Sequence, residues 1–426
     1  MDNLIFYTDR SLLSKIPGNV LDFFRINGLL LPEQVKIHFV GIVLLNSTLH
    51  VFLPRKSSVE KIMKSDEEMK SQVIRDLIYS LNKYYHSSDN ILMDPLEQEG
   101  VTGELHLNTL LALLEDYYAN GLYSRRRVTT VHNYARVDWK KTVNHCFPVM
   151  DDAFPHYLNW IGNKKSTDSE NEISKIHADV MRDICKHFRW LSVSDDFSSE
   201  SFLQKTRPSD ITTESKIERL TRELALCYSD RDIFLLKTLI DYLSNTGNNG
   251  LSSLIIGVKE FHGMWERMLN DCLYYTININ RLLTAPVYKT EGKFFLAPAK
   301  GHRTDISLKK EDAYVIVDAK YYEATSVNNS PGLYDIVKQF YYAKSLSLVG
   351  KNISSIKNIF IFPGVHGAIE SIHMAPKGTD KAITQADCLD DAYPPIRCCY
   401  YDPLRLMGFY SAGKKDKALS EKLFLV

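Results

Sequence analysis

The hydrophobic pattern along this chain changes period several times, and each change marks an element. Val35 to Leu45 is an almost unbroken apolar run; Asn46-Ser47 interrupts it, and Thr48 to Leu53 resumes it. Two such runs across a short polar break predict a β-hairpin at the start of a small sheet. From 57 to 85 the spacing becomes helical, with Val59, Ile62, Met63, Met69, Val73, Ile74, Leu77, Ile78 and Leu81 on one stripe. A second helix is predicted over about 106–119, where Leu107, Leu110, Leu111, Leu113 and Leu114 form a core-packing stripe and Gly121 supplies the stop. Polar stretches at 163–170 and 192–215 read as long loops. Leu220 to Leu243 is again helical in period, and Asn245 to Gly250 breaks it. Beyond 251 helix and strand alternate. A helix is expected over 258–276, a strand or hairpin over 286–298 and a strand over 314–322. A helix over 334–349 and a strand over 357–363 follow. The fold class is therefore mixed α/β: an N-terminal β-hairpin and helical region, then a C-terminal core with a central mixed sheet flanked by helices.

Length and composition refine this only a little. A chain of 426 residues exceeds one ordinary core, and about two to three domains are expected. The pattern changes place them at 1–160 (β-rich and helical), 161–250 (a helical connector with polar loops) and 251–426. Hydrophobic residues make up 44% and charged residues 24%, as in a soluble globular protein. Lysine plus arginine and aspartate plus glutamate number 52 each, so no global basic field advertises a polyanion; local patches decide that question. Seven cysteines, odd in number and without CxxC spacing, fit reduced thiols in a cytoplasmic protein rather than a disulfide framework or a zinc ribbon. No secretory signal and no apolar run long enough to span a membrane are visible, so no membrane partner is expected.

The chemistry concentrates near Asp305 and the run Val315-Ile316-Val317-Asp318-Ala319-Lys320. Side chains alternate along a strand, so Asp318 and Lys320 share one face, and Asp305 arrives from a preceding strand or turn. Two carboxylates facing each other beside an ammonium can hold a divalent cation and support attack of water on a phosphodiester. Upstream, Glu266 lies on an amphipathic helical stretch, Phe261 to Leu269, and offers a third carboxylate. Downstream, Gln339 and Tyr342 share a helix face at i, i+3.

Glu266, Asp305, Asp318-Ala319-Lys320 and Gln339, in that order, resemble the PD-(D/E)xK nuclease superfamily, with Thr304 standing where the usual proline precedes the first aspartate. Asp138-Trp139-Lys140-Lys141-Thr142 together with Trp265-Glu266 and this core is similar to LlaJI-type restriction endonucleases. It is similar as well to the nuclease subunit of McrBC-like, GTP-dependent restriction systems. The specific match covers about 125–160 and 255–365. The resemblance implies that 251–426 is an endonuclease domain and that the chain is a hydrolase cleaving double-stranded DNA with Mg²⁺. Catalytic residues would be Asp305, Asp318, Lys320, Glu266 and Gln339, with Asp305, Asp318 and Glu266 on the metal. It implies an AAA+ GTPase partner and association with a cognate DNA methyltransferase. The chain shows no GxxxxGK(S/T) segment of its own.

Other features stay open. Arg125, Arg126 and Arg127, with Lys140 and Lys141 beside Trp139, can track phosphates, dock a motor subunit or form a solvated loop. His262 and His302 flank the acidic cluster, and a loop role suits His302 better than a phosphate contact. Cys398-Cys399 sits in an apolar run, Ile396 to Tyr401, and reads as packing. Two further readings of the whole are a standalone type II restriction endonuclease and a non-catalytic scaffold with a nuclease-like fold. The intact Asp305, Asp318 and Lys320 argue against the scaffold.

Overall fold

A computed structural model describes residues 4–88, 101–102, 104–151, 154–168, 171–188, 203–246, 253–298, 301, 303–350, 352–378 and 383–425. It divides the chain into two compact units: residues 1–104 with 253–426, and residues 105–252.

In the first unit, β1 (Leu4–Thr8), β2 (Val40–Leu45), β3 (Thr48–Leu53) and β4 (Val101–Thr102) join β10 (Ser253–Val258) in the order β1-β3-β2-β10-β4. The expected hairpin is β2 and β3, paired antiparallel from Gly41↔Phe52 to Leu45↔Thr48. Asn46 and Ser47 both take positive φ, 49° and 62°, the backbone a two-residue turn of matching twist requires. Val20 and Phe24 of the Gly18–Ile26 helix pack on Phe39, Val43, Phe52 and Ile255. The stripe over 57–85 forms two helices, Val59–Lys64 and Glu67–Ser88, divided at Ser65, whose hydroxyl donates to the Ile62 carbonyl at 2.7 Å. The helix expected from 258 is preceded by β10 and runs His262–Cys272.

The second sheet of this unit comprises β13 (Ile306–Lys310), β14 (Ala313–Ala319), β15 (Ser355–Pro363), β16 (Ser371–Ile372) and β17 (Ile396–Tyr401), in the order β13-β14-β15-β17-β16. β14, β15 and β17 run parallel, while β13 and β16 are antiparallel edges, so the sheet is mixed. The helix Leu333–Val349 makes the β14-to-β15 crossover. Its Tyr342 and Leu346 pack on Tyr314 and Ile316, which fixes the even-numbered face of β14 as the face beneath it. On the opposite side Tyr321 lies against Phe261 and Trp265, with ring centroids 5.2 and 6.1 Å apart. Cys398 is packed among Phe360, Phe362 and Ile396.

Tyr321 also ties the two sheets of this unit together. Its hydroxyl accepts the Arg55 backbone N–H at 2.9 Å, its carbonyl accepts from the Arg55 guanidinium at 3.2 Å, and Lys56 pairs with Glu323 at 3.1 Å. A separate ribbon of β11 (Val287–Thr290) and β12 (Lys293–Leu296) stands exposed.

The second unit holds the helices Glu104–Asn120, Trp139–His145, Glu172–Phe188, Thr213–Leu224 and Asp230–Thr246. Its strands are β5 (Arg125–His132), β6 (Arg136–Val137), β7 (Val149–Asp151), β8 (Phe154–His156) and β9 (Ile161–Asp168). They form a β5-β9-β6 sheet and a β7-β8 hairpin. Leu107, Leu110, Leu111, Leu113 and Leu114 are all buried, as the stripe predicts. The expected helix over 220–243 is two helices, parted at 225–229. The break expected at Asn245 to Gly250 falls from 247 onward outside the described residues. Among the described residues no helix is long and apolar enough to cross a membrane.

Candidate active site

The acidic cluster forms at one end of the second sheet because β13 and β14 are antiparallel neighbours. Their last pair is Ile306↔Val317, so the next step of the register sets Asp305 across from Asp318. Asp305 stands close enough to Asp318 for the two carboxyls to act on each other. Asp318 is only 5% exposed and Gln339 1%. Gln339, facing down from the crossover helix, donates Nε2–H to Asp318 Oδ2 at 3.4 Å. Its Oε1 is buried without a partner among the described residues.

Lys320 follows the end of β14 and keeps its phase: its backbone N–H donates to the Ile361 carbonyl at 2.9 Å. Its Nζ lies 3.1 Å from Asp318 Oδ1 and 2.8 Å from Asp335 Oδ1. Burial works against the ammonium, but the Asp318 charge and the Asp335 hydrogen bond outweigh it and raise the Lys320 pKa above its ordinary value. Lys320 is therefore a fixed cation and not a base.

Asp305 shows the opposite effect. Loss of water around its carboxyl, then the charges of Asp318 and Glu266 and the hydrogen bond with Asp318, push it up to about 8, and Lys320 pulls it back only in part. The residue as a whole is open to solvent, so Asp305 stands at the mouth of the cluster.

The segment before Asp305 is held firmly. Asn280 Oδ1 accepts from the backbone N–H of Thr304 at 2.8 Å and from its hydroxyl at 3.0 Å, and Tyr342 donates to the Arg303 carbonyl at 2.6 Å. This explains the threonine at 304: a proline there has no N–H to give Asn280.

Glu266 sits half-buried on the His262–Cys272 helix, and Asp305 feels it as a like charge. Asp305, Asp318 and Glu266 do not all bring a ligand atom within 4.8 Å of one another; among the described residues the group of three that does is His373, Cys388 and Asp390, through a ring nitrogen, a thiol sulfur and a carboxylate oxygen. The two aspartates, set opposite each other by the register of β13 and β14, form the centre of the candidate cation site, with Glu266 acting on Asp305 as a further carboxylate. Hard carboxylate oxygens, a like-charge pair and an unpartnered amide oxygen fit a divalent cation such as Mg²⁺.

Sequence reasoning passed over Asp335, which holds Lys320. Its signal was present: Asp335 and Gln339 stand at i, i+4 on the helix that covers Asp318. The weaker candidates belong to the second unit. Lys141 is committed locally, its N–H donating to the Asp138 carboxylate at 3.1 Å and its Nζ to Thr130 Oγ1 at 3.1 Å. Lys140 is exposed on the same short helix. Arg125, Arg126 and Arg127 lie on β5, and their side chains are outside the described residues, as is His302. His262 is exposed, 3.6 Å from Glu260.

The "Type II restriction enzyme BsuMI component YdjA" of Bacillus subtilis (strain 168) is 26% identical over 247 residues, 53% of this chain and 51% of that protein. The chain thus spans about half the length of this curated relative. A solved half-complex from a tetradecameric assembly of Thermococcus gammatolerans McrB AAA+ hexamers with bound McrC is similar at a TM-score of 0.34. That match has 12% identity and covers 96% of this chain and 99% of the other. The family model of the LlaJI restriction endonucleases matches residues 39–370, and the chain belongs to that family.

Proposed function

We propose that this chain is the DNA-cleaving subunit of a restriction system, a Mg²⁺-dependent endonuclease that hydrolyses phosphodiester bonds of foreign double-stranded DNA. The observation that carries the reading is the convergence of Asp305, Asp318, Lys320 and Gln339 at one sheet end, with Glu266 nearby. In this reading 251–426 is a PD-(D/E)xK endonuclease domain, 161–250 a connector, and 1–160 contacts the partner or DNA.

Asp305 and Asp318, together with Glu266, would hold the cation. When bound, Mg²⁺ polarises a phosphoryl oxygen and makes its water more acidic. Lys320 sets its ammonium beside the attacking water and offsets charge growing on the pentavalent phosphorus. Asp335 keeps Lys320 in that position, and Gln339 fixes the rotamer of Asp318.

The partner we assign is an AAA+ GTPase, in keeping with the similarity of the Asp138–Thr142 segment and the core to McrBC-like nuclease subunits. A cognate DNA methyltransferase and a cytoplasmic site of action complete the proposal. A standalone type II endonuclease is the second reading; the Bacillus relative belongs to a type II restriction enzyme, as one component of it. Plasmid DNA incubated with Mg²⁺ and the purified chain, with and without a genetically linked GTPase and GTP, separates the two. Cutting that needs the GTPase supports the subunit reading, and cutting at fixed sites by the chain alone overturns it. Full cleavage by Asp318→Ala or Lys320→Ala overturns the site.

A further inference from the structure

We propose a second, chemically distinct cation site at the far edge of the nuclease-side sheet, built from His373, Cys388 and Asp390 and selective for zinc. It stands independently of the functional reading above, because it shares no residue with the acidic cluster. One ligand atom from each of the three side chains lies within 4.8 Å of the others, and all three residues are half-buried.

The backbone assembles this cluster. His373 follows β16, the antiparallel edge strand paired with β17. Cys388 and Asp390 flank Leu389, whose N–H donates to the carbonyl of Met374, the neighbour of His373, at 2.8 Å. That single bond carries the Cys-Leu-Asp segment across to the histidine. Upstream, Thr384 caps the 3₁₀ turn Gln385–Asp387, its N–H donating to Asp387 Oδ2 at 2.8 Å, and Cys388 is the residue that ends the turn.

Outer partners orient the ligands. The ligand atoms His373 Nδ1 and Asp390 Oδ1 lie 2.8 Å apart, and from outside the cluster Ser371 Oγ stands 2.8 Å from His373 Nε2. Gln385 Nε2 donates to Asp390 Oδ2 at 2.6 Å. A ring nitrogen held from its far side by a hydroxyl, and a carboxylate held by an amide, are the usual supports of a first-row metal ligand. The donor set of imidazole nitrogen, thiolate and carboxylate suits Zn²⁺, whereas the all-oxygen Asp305–Asp318 pair suits Mg²⁺. Three protein ligands leave the fourth tetrahedral position to water.

The site would fasten the stretch after β16 to the sheet edge. That stretch continues to Tyr393, whose ring lies 5.2 Å from Phe340, the residue beside Gln339 on the crossover helix. Zinc would thereby steady the helix that orients Asp318 without touching the reacting groups.

The full chain, loaded with Zn²⁺ and freed of excess by gel filtration, should retain one equivalent by elemental analysis. Cys388→Ser and His373→Ala should retain none, and Asp318→Ala should retain the full equivalent. Co²⁺ in place of zinc should give a near-ultraviolet thiolate charge-transfer band that Cys388→Ser lacks. Circular dichroism of each variant distinguishes lost metal from lost fold, and Asp390→Asn, which keeps the residue's size, guards against a misfolded cysteine variant. A wild-type chain that retains no zinc, or as much as Asp390→Asn and Cys388→Ser, overturns the proposal. Loss of zinc in Asp318→Ala as well would place the metal at the acidic cluster and overturn it equally.

Discussion

Lys320 stands between two carboxylates, 3.1 Å from Asp318 and 2.8 Å from Asp335, and both hold it charged. Its charge is thus constant across any working pH, and its contribution is electrostatic. Lys320→Ala should lower the cleavage rate by about 10²–10³-fold, the size found when a preorganised charge-stabilising group is removed. The unfolding temperature should fall as Asp318 and Asp335 lose their shared cation, and single-turnover cleavage run well below the melt, beside the melt itself, checks both. An unaltered rate would exclude the role. Asp318→Asn tests the other half of the cluster. It removes one of the carboxylates that crowd Asp305 and should abolish Mn²⁺ binding in a titration monitored by calorimetry. The melting temperature should hold or rise, because like-charge repulsion is relieved. A variant that still binds Mn²⁺ with wild-type affinity would move the cation site elsewhere.

Among the elements, the sheet of the N-terminal region shows where close approach replaces side chains. Gly257 of β10 is paired with Gly41 of β2, and a Cβ on Gly257 would lie 2.4 Å from Phe39 Cζ and 2.4 Å from the Val40 carbonyl oxygen. The backbone oxygen cannot give way, so Gly257→Ala should destabilise the unit by about 1–3 kcal/mol or separate the strands. Denaturant unfolding measures the first outcome, and a wild-type midpoint would refute the packing. This strand pair also shows what the sequence could and could not reveal. The β2-β3 hairpin was legible because its turn residues and both runs are contiguous. The Leu107–Leu114 stripe and the crossover helix were legible because their period is local. The pairing of β10 with β2 joins residues more than two hundred positions apart, and a short apolar run before a helix carries no mark of its partner. The same limit hid the break in the 220–243 helix, where the apolar spacing continues through residues that leave the helical path. At the site, Asp318 and Lys320 were legible through strand period. Asp335 and Asn280 act through contacts made only by the tertiary fold.

At the scale of the whole molecule, one unit is inserted in sequence between the two segments of the other, so its stability can be addressed on its own terms. The inserted unit carries a buried histidine. His177 is fully buried, and its Nδ1 accepts the Tyr123 backbone N–H at 3.0 Å, which requires the neutral ring. Burial pushes its pKa down to about 4, with the nearby Asp116 opposing and Arg231 assisting. The unfolded chain takes up a proton near the ordinary value of about 6.5, and the folded unit does not until about pH 4. The contribution of His177 is therefore complete above pH 6.5 and falls as the pH drops through that window. It levels off near pH 4 after a loss of about 3 kcal/mol. Urea unfolding of the full chain at pH 7.5, 6, 5 and 4.5, followed by a probe in this unit, should show this decline. His177→Asn should be less stable at pH 7.5 yet show a shallower decline, because its side chain does not titrate. Parallel slopes for the two proteins would mean that His177 is charged in the folded state, and the hydrogen bond from Tyr123 would then have to be reassigned.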